Sequence, residues 1–179
     1  MSRALPDPAQ RLRAIHAARA RLVPLAHAEL LNALPASAAR ACDLERTLLV
    51  LVVADDLVVA SGYAGEAPVD DVLQLAAAAH AALADRALEA EVVASGRAVL
   101  AERGTLLRAE GAVAVAPLVH PDRAIALLYG DRPGGAALDE LDRELLWTFA
   151  VAVAPVLHLA TLAAIAREPL AARPRRGIG

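Results

Sequence analysis

The sequence predicts an α+β fold, in which an antiparallel sheet is flanked by helices and long helices stand at both ends of the chain. Two apolar runs of strand length, 112–119 and 123–130, are separated only by a turn. Such a hairpin leaves no room for the crossover helix that parallel strands require. Stretches with helical apolar spacing precede the first strand and follow the last. An antiparallel sheet with helices packed on it buries both kinds of apolar face.

Two helices are predicted before the first strand. The first begins at Pro8, because proline suits the first turn of a helix, and continues to about Leu22. Pro24 should break or kink it, since proline lacks an amide hydrogen. The second covers residues 25–41, and Pro35 is expected to interrupt it in the same way.

A hairpin and a mixed segment follow these helices. Residues 47–53 form a continuous run of β-branched residues and leucine, typical of a buried strand. Residues 57–60 form its partner across a turn at Asp55 and Asp56. The remaining predictions for this part are a helix over 72–83, a short helix over 88–94 that stops at Gly96, and a short strand over 98–100.

The last helix is predicted to begin at Asp139, with Asp142 three residues later as its capping partner. Residues 148–166 carry no formal charge, and the length of this segment is close to the roughly 20 residues that cross a bilayer. Pro155, His158 and the charged start of the helix favour burial at a domain or dimer interface instead of a membrane span. Residues 167–179, with their prolines, glycines and arginines, are expected to form a flexible tail.

Composition narrows the classes of function. The formal net charge is −3, so the chain has no general electrostatic attraction to phosphate backbones. Aromatic residues make up only 2% of the chain, which argues against binding of single-stranded nucleic acid by base stacking. Cys42 is the single cysteine, which excludes a disulfide framework within the chain. The N-terminus has no basic-then-apolar signal pattern. We therefore expect a cytoplasmic protein without direct nucleic-acid or membrane binding, and we expect no cofactor and no metal.

The motifs near the C-terminus resemble those of a GAF domain. An apolar strand ends in an acidic–basic pair at 131–132, and Leu-Asp-Arg at 141–143 precedes Leu-Trp-Thr-Phe-Ala at 146–150. Within the family, this pattern is most similar to the GAF-like N-terminal sensor region of LuxR-type transcriptional regulators of high-GC bacteria. Residues 41–46 resemble the entry into the first strand, and residues 88–92 resemble a helix start that lines a pocket.

The resemblance implies a regulatory domain that binds a small molecule and forms a homodimer through its terminal helices. It divides the chain into an N-terminal helical extension (1–33), a GAF-like domain (34–166) and a tail (167–179). The helix-turn-helix of the LuxR-type proteins has no counterpart before Gly179, so we do not expect this chain to bind DNA by itself. The stripes expected to pair in the dimer are Leu12, Ile15 and Leu22 at one end and Phe149, Val153 and Leu157 at the other.

The resemblance also places a pocket between one sheet face and the segment 63–93. The candidate ligand-binding residues are Tyr63, Arg86, Glu91, His120 and Tyr129. A mostly aliphatic pocket would favour a small apolar or amphipathic effector. For each of these residues a purely structural role stays open, and so does a ligand-free GAF fold that serves dimerisation or partner docking.

Enzymatic activity is not expected, although two alternatives remain. The GAF-fold free methionine sulfoxide reductases use a relay of cysteines, which Cys42 alone cannot supply. Cys42 is either an inert buried thiol or, with Arg40 and Arg46 nearby in sequence, a reactive one. His80 is either a structural imidazole or a ligand, and its pairing with Glu91 would be the minimum for a small enzyme.

Overall fold

The computed structural model confirms the predicted α+β class, and it describes residues 7–65, 81–82, 86–102, 106–107 and 111–167, with only the backbone at 81–82. The helices of these residues are α1 (Pro8–Leu22), α2 (His27–Cys42), α3 (Ala87–Ser95) and α4 (Glu140–Arg167). The strands are β1 (Arg46–Val53), β2 (Asp56–Tyr63), β3 (Ala81–Ala82), β4 (Val99–Ala101), β5 (Val113–Val119) and β6 (Ala124–Asp131).

The described strands form one antiparallel sheet in the order β3-β2-β1-β6-β5-β4. The first and last long strands are neighbours, and Leu48 of β1 lies opposite both Gly62 of β2 and Tyr129 of β6. Both predicted hairpins are therefore confirmed, and β1 and β6 join them into a single sheet.

The two faces of the sheet pack into separate apolar cores. We call the side covered by α1, α2 and α4 the helix face, and the other side, against which α3 packs, the distal face. Side chains alternate between the faces along each strand. Leu128 of β6 belongs to the helix-face core, while its neighbour Leu127 belongs to the distal core. The distal face is therefore a compartment apart from the helix layer.

Helix α1 begins as predicted, and α2 departs from the prediction. Asp7 caps α1 by accepting a hydrogen bond from the N–H of Ala9 at 3.2 Å. The chain leaves helical structure between α1 and α2, around Pro24, as expected. The predicted interruption at Pro35 is wrong, because α2 continues through it to Cys42. Packing against β1 and β2 supports this continuous helix.

The start of α4 confirms the predicted capping pair. The N–H of Asp142 donates to Asp139 Oδ1 at 3.0 Å, and the N–H of Asp139 donates to Asp142 Oδ2 at 3.2 Å. Each carboxylate thus satisfies a backbone N–H at the helix N-terminus. The negative charges also complement the helix dipole.

A buried ion cluster joins α1 to the start of α4. Arg11, only 3% exposed, donates from Nη1 to Asp142 Oδ1 at 3.0 Å. Arg132 donates from Nη2 to the same oxygen at 3.0 Å, and from Nε to the carbonyl of Asp43 at 2.8 Å. Asp43 Oδ2 is a second, more distant counter-charge, 3.9 Å from Arg11 Nη2. Asp142 and Asp43 together therefore face the two guanidinium groups, and α1 is fixed to the domain through charged contacts.

The apolar stripes that were expected to pair between two protomers are mostly buried within one protomer. The sequence-based choice of interface residues is corrected accordingly. Of the six residues, only Leu12 is exposed. The others are at most 1% exposed, because α1, α2 and α4 pack on one another and on the sheet; they are Ile15, Leu22, Phe149, Val153 and Leu157. A different stripe of α4 remains exposed to solvent: Val151, Leu159, Leu162 and Ile165.

Two predictions fall wholly or largely outside the described residues. The helix predicted over 72–83 lies mostly there. Its predicted end is wrong, however, since Ala81–Ala82 is a strand paired with Asp56 and Leu57. Of the predicted tail (167–179), Arg167 is the last residue of α4, and residues 168–179 lie outside the described part.

Candidate functional site

The distal face carries a fully buried carboxylate. Glu89 lies in the first turn of α3 and is 0% exposed. Its Oε1 accepts hydrogen bonds from the N–H of Leu106 at 3.0 Å and from the hydroxyl of Tyr129 at 3.3 Å. A glutamate in the first turn commonly folds back onto the helix N-terminus. Glu89 instead crosses to β6, so tertiary contacts determine where its charge lies.

Tyr129 reaches this carboxylate because the odd-numbered residues in this part of β6 face the distal side. It is fully buried. Burial raises the pKa of Tyr129 far above its ordinary value, the charge of Glu89 raises it further, and Arg86 lowers it by a smaller effect. The phenol therefore stays protonated at any physiological pH and acts as a hydrogen-bond donor toward Glu89.

The second carboxylate oxygen of Glu89 is unsatisfied. Glu89 Oε2 is buried and has no hydrogen-bond partner in the described part of the chain. An unmade hydrogen bond of this kind costs about 1–3 kcal/mol, and more for a charged group. The charge of Arg86 influences Tyr129, yet within the described residues it forms no ion pair with Glu89. Within the described residues, the site thus presents one carboxylate oxygen without a donor.

Apolar side chains form the rest of the distal core. They come from both hairpins, from α3 and from the segment that follows it. Because aliphatic surroundings screen charges poorly, interactions with Glu89 are stronger here than at the surface. The buried members are Leu48, Val50, Leu57, Ala64, Val92, Leu106, Leu107, Val113, Val115 and Leu127, together with Tyr129.

The structure separates the five residues that were expected to line one pocket. Arg86 and Tyr129 lie at the Glu89 site. Tyr63 packs instead against the helix-face core, with the guanidinium carbon of Arg40 5.9 Å from its ring centroid. Tyr63 and Tyr129 therefore belong to opposite faces of the sheet, and the structure does not bring them together.

His120 and Glu91 are also removed from the site. The ring of His120 contacts the ring of His158 on α4, with centroids 4.5 Å apart, so it belongs to the helix layer. Glu91 is exposed on α3. Neither side chain belongs to the distal core that contains Tyr129.

Glu89 is the residue that the sequence analysis missed. The resemblance directed attention to Glu91, the last residue of a Leu-x-x-Glu pattern. Helical geometry contains the better signal: Glu89 lies three residues before the buried Val92 and therefore on the same side of α3, whereas Glu91 does not. An acidic residue that shares the apolar side of a short helix is the signal for a buried polar site.

Cys42 lies on the other face of the sheet. It is the last residue of α2 and is fully buried in the helix-face core. Burial raises the pKa of its thiol to about 12, against a smaller opposing effect of Arg11. The thiol is therefore protonated at neutral pH and shielded from solvent. His80 lies outside the described residues, and so does any contact between it and Glu91.

One helix of the described residues, α4, is long and apolar enough to cross a membrane. Of its most apolar stretch, 33% is buried against the rest of the chain. Phe149, Val153 and Leu157 supply part of the helix-face core. Within the protomer, α4 thus serves as a core helix whose outer side is apolar.

The comparisons with known proteins agree with this architecture. A family model described as GAF domain matches residues 27–159. No curated protein matches the chain significantly. Among solved structures, the chain is similar to the GAF domain of a putative sensor histidine kinase from Pseudomonas syringae pv. tomato. The TM-score is 0.62 at 18% identity, with 89% of this chain and 94% of that one covered.

Two further solved structures show the same fold. One is the GAF-B domain of DevS from Mycobacterium smegmatis, with a TM-score of 0.59, 19% identity and coverage of 78% and 98%. The other is the free methionine-R-sulfoxide reductase from Neisseria meningitidis, with a TM-score of 0.68, 17% identity and coverage of 91% and 97%. At these identities the similarity concerns the fold alone. The GAF family model matches most of the chain, and the fold of the solved structures agrees with it. The chain therefore belongs to the GAF-domain family, a class of sensory and regulatory modules in signalling proteins.

Proposed function

We propose that this GAF domain is a non-enzymatic regulatory module that binds a small molecule on the distal face and acts as a homodimer. The observation that carries the proposal is the buried pair of Glu89 and Tyr129, which leaves Glu89 Oε2 without a partner in the described residues. Buried polar atoms in folded proteins are nearly always hydrogen-bonded. An unpaired one inside an apolar core is consistent with a binding site whose ligand completes it.

The exposed stripe of α4 supports the homodimer. Leu159, Leu162 and Ile165 follow at helical spacing and each is at least 49% exposed. A contiguous apolar surface of this kind is typical of an interface. Two α4 helices related by a two-fold axis would cover each other's stripes, since such an interface is self-complementary. A ligand would regulate the dimer by favouring one arrangement of these helices over another.

The proposed context is transcription regulation or signalling in the cytoplasm. The motifs at 141–143 and 146–150, which are similar to those of LuxR-type regulators, support this assignment. The net charge of −3 and the scarcity of aromatic residues argue against direct binding of nucleic acid by this chain. Output would therefore pass through a partner or through another polypeptide segment.

A role other than catalysis fits the side chains best. The distal site combines one carboxylate with one phenol that stays protonated, and the thiol of Cys42 lies in the opposite core. A nucleophile with a base beside it is the usual minimum for covalent catalysis. The described residues of the distal core do not include such a pair.

Native mass spectrometry of the freshly purified full chain tests the proposal. We expect a dimer that carries a non-covalent small molecule, which is lost on denaturation. A species without adduct, which also acquires none after incubation with a bacterial metabolite extract, would overturn ligand binding. Y129F provides a matched variant: it keeps the ring but removes the donor to Glu89, and it should change the occupancy of the adduct.

A second candidate function is a ligand-free GAF fold that serves only dimerisation or docking. The exposed stripe of α4 favours it, because this surface needs a partner whether or not a ligand binds. A dimer without adduct in the same experiment would support this candidate over the first.

A further inference from the structure

We infer that the distal site takes a small amphipathic ligand that carries a protonated amine or amidine, whose N–H groups donate to Glu89 Oε2. This inference rests on the proposed function, because it names the chemical class of the ligand for the same site. A carboxylate oxygen has no hydrogen to donate and acts as an acceptor. The complementary group must therefore be a donor, and its chemistry follows from the charges around it.

The charge of the ligand follows from the partners that Glu89 already has. Both groups that donate to Oε1, the backbone N–H of Leu106 and the phenol of Tyr129, are neutral. A buried carboxylate without a counter-charge is strongly destabilising. Charge-assisted hydrogen bonds are also about twice as strong as neutral ones. A cationic donor would supply both the missing hydrogen bond and the missing charge.

Arg86 does not fill this role within the chain. It immediately precedes α3, is partly exposed, and forms no ion pair or hydrogen bond with Glu89 in the described residues. Its charge is felt at Tyr129, but contact with water screens it. Within the described residues, Arg86 therefore leaves Oε2 without a cationic partner.

The apolar part of the ligand follows from the surroundings of the carboxylate. Leu48, Val50 and Leu127 belong to the same core as Tyr129, and none of them has a polar group to offer. A ligand that is polar throughout would lose its hydration here without compensation. A short alkyl or aryl group next to the cationic head would gain from burial instead.

An NMR titration of the 15N-labelled full chain tests the inference, with n-butylammonium chloride as the probe. We expect saturable shifts of the Leu106 amide, because its N–H shares the Glu89 carboxylate with the probe. The matched probes are n-butanol, which has a neutral donor, and sodium butyrate, which is an anion. We expect n-butanol to bind about tenfold more weakly or worse, and butyrate not to bind. So small a probe has at best millimolar affinity, a range that the titration detects.

Two variants locate the effect on one side chain. E89Q keeps the shape of the side chain and removes its charge, and it should weaken n-butylammonium binding about tenfold or more. E91Q changes the exposed glutamate of the same helix and should bind as the unchanged chain does. The comparison of cation, neutral probe and anion uses the unchanged chain only, so it remains decisive even if E89Q folds poorly.

Several results would overturn the inference. The first is an unchanged Leu106 amide signal when n-butylammonium is added. The others are equal affinities for n-butylammonium and butyrate, and an affinity of folded E89Q for n-butylammonium equal to that of the unchanged chain. If the probe fails while native mass spectrometry shows a bound adduct, the ligand class is wrong and the proposed function stands. If n-butylammonium binds as expected but the chain carries no adduct and acquires none from the extract, the chemistry assigned to Glu89 stands and the proposed regulatory ligand is overturned.

Discussion

The hydroxyl of Ser61 in β2 donates to the carbonyl of Leu31 in α2 across 2.6 Å. In an uninterrupted helix, that carbonyl would accept the N–H of residue 35, and Pro35 has none. The sheet thus supplies the hydrogen bond that proline removes. Thr47 of β1 adds a second link by donating to the carbonyl of Pro35 at 2.8 Å. These two hydroxyls explain why α2 continues through a residue that usually ends a helix.

We predict that S61A lowers the free energy of unfolding by about 1–2 kcal/mol, because it leaves the Leu31 carbonyl unsatisfied next to the core. The cost should fall by about 1 kcal/mol in a P35A background, where residue 35 regains an N–H for the same carbonyl. Chemical denaturation of the four proteins of this cycle measures the coupling.

T161A is the matched control for Ser61. Thr161 donates to the carbonyl of Leu157, four residues earlier in its own helix, where a backbone N–H is also available. Its loss should change stability by less than about 0.5 kcal/mol. Additive effects of S61A and P35A would contradict the role assigned to Ser61.

We predict that D142N destabilises the protein by about 3 kcal/mol at neutral pH, because it removes the carboxylate that the buried Arg11 and Arg132 share and leaves Arg11 with the weaker contact to Asp43 at 3.9 Å. E140Q, which alters an exposed ion pair with Arg143, should stay within about 0.5 kcal/mol of the unchanged chain. Urea denaturation of both variants checks the difference.

The same carboxylate predicts a dependence on pH. Burial alone would raise the pKa of Asp142. The pKa is nevertheless lowered overall, because the carboxylate accepts hydrogen bonds from Arg132, from the N–H of Asp139 and from Arg11, and because the positive charge of Arg132 lies beside it. Its stabilising effect is therefore present above the unfolded pKa, about 3.9, and is lost as pH falls through the lower folded value. The stability gap between the unchanged chain and D142N should be constant from about pH 7 to 5 and shrink below about 4. A gap that widens in acid would contradict this assignment.

We predict that Cys42 does not react with a disulfide reagent such as DTNB while the protein is folded. Burial holds its thiol pKa near 12, and the thiolate is the reactive form. Labelling should become complete once guanidinium chloride unfolds the chain. Native labelling at a rate close to that of the unfolded chain would show that the thiol is accessible, which would reopen a reactive role for it.

We predict that L162E turns a dimer into a monomer, because it places a charge in the middle of the exposed stripe of α4. V53E is the control, since Val53 is also exposed but lies at the end of β1, away from α4. Light scattering at tens of micromolar checks both variants. A monomeric unchanged chain, or a dimeric L162E, would refute the proposed interface.

The parts of the fold that could be predicted are those specified by local chemistry. The hairpin strands follow from continuous apolar runs on either side of a turn, and the start of α4 follows from two aspartates three residues apart. The path of α2 through Pro35 could not be predicted in this way, because the compensating donor, Ser61, lies 30 residues away from Leu31. The helix predicted over 72–83 was given the wrong end, because a run of alanines shows no alternation of apolar and polar residues that could distinguish a helix from a strand.

The candidate site was predictable only in part. Tyr129 was identified at the end of β6, and the face on which it lies follows from strand alternation. Tyr63 was assigned to the segment after the second strand, which was predicted to end at residue 60, but β2 continues to Tyr63. The register shift between β1 and β2 after Leu49, which the sequence does not reveal, goes with its placement on the helix face. The stripe through Ile15 and Phe149 is apolar whether it packs within one chain or between two, so sequence alone could not distinguish the two arrangements.

Methyl NMR tests the assignment of ligand binding to the distal face most directly. Leu127 and Leu128 are neighbours in β6 whose side chains lie in opposite cores. When a bacterial metabolite extract is added to the full chain, we predict that the methyl signals of Leu127 shift and those of Leu128 do not. Unchanged Leu127 methyl signals, or equal shifts at Leu128, would contradict a ligand site on the distal face.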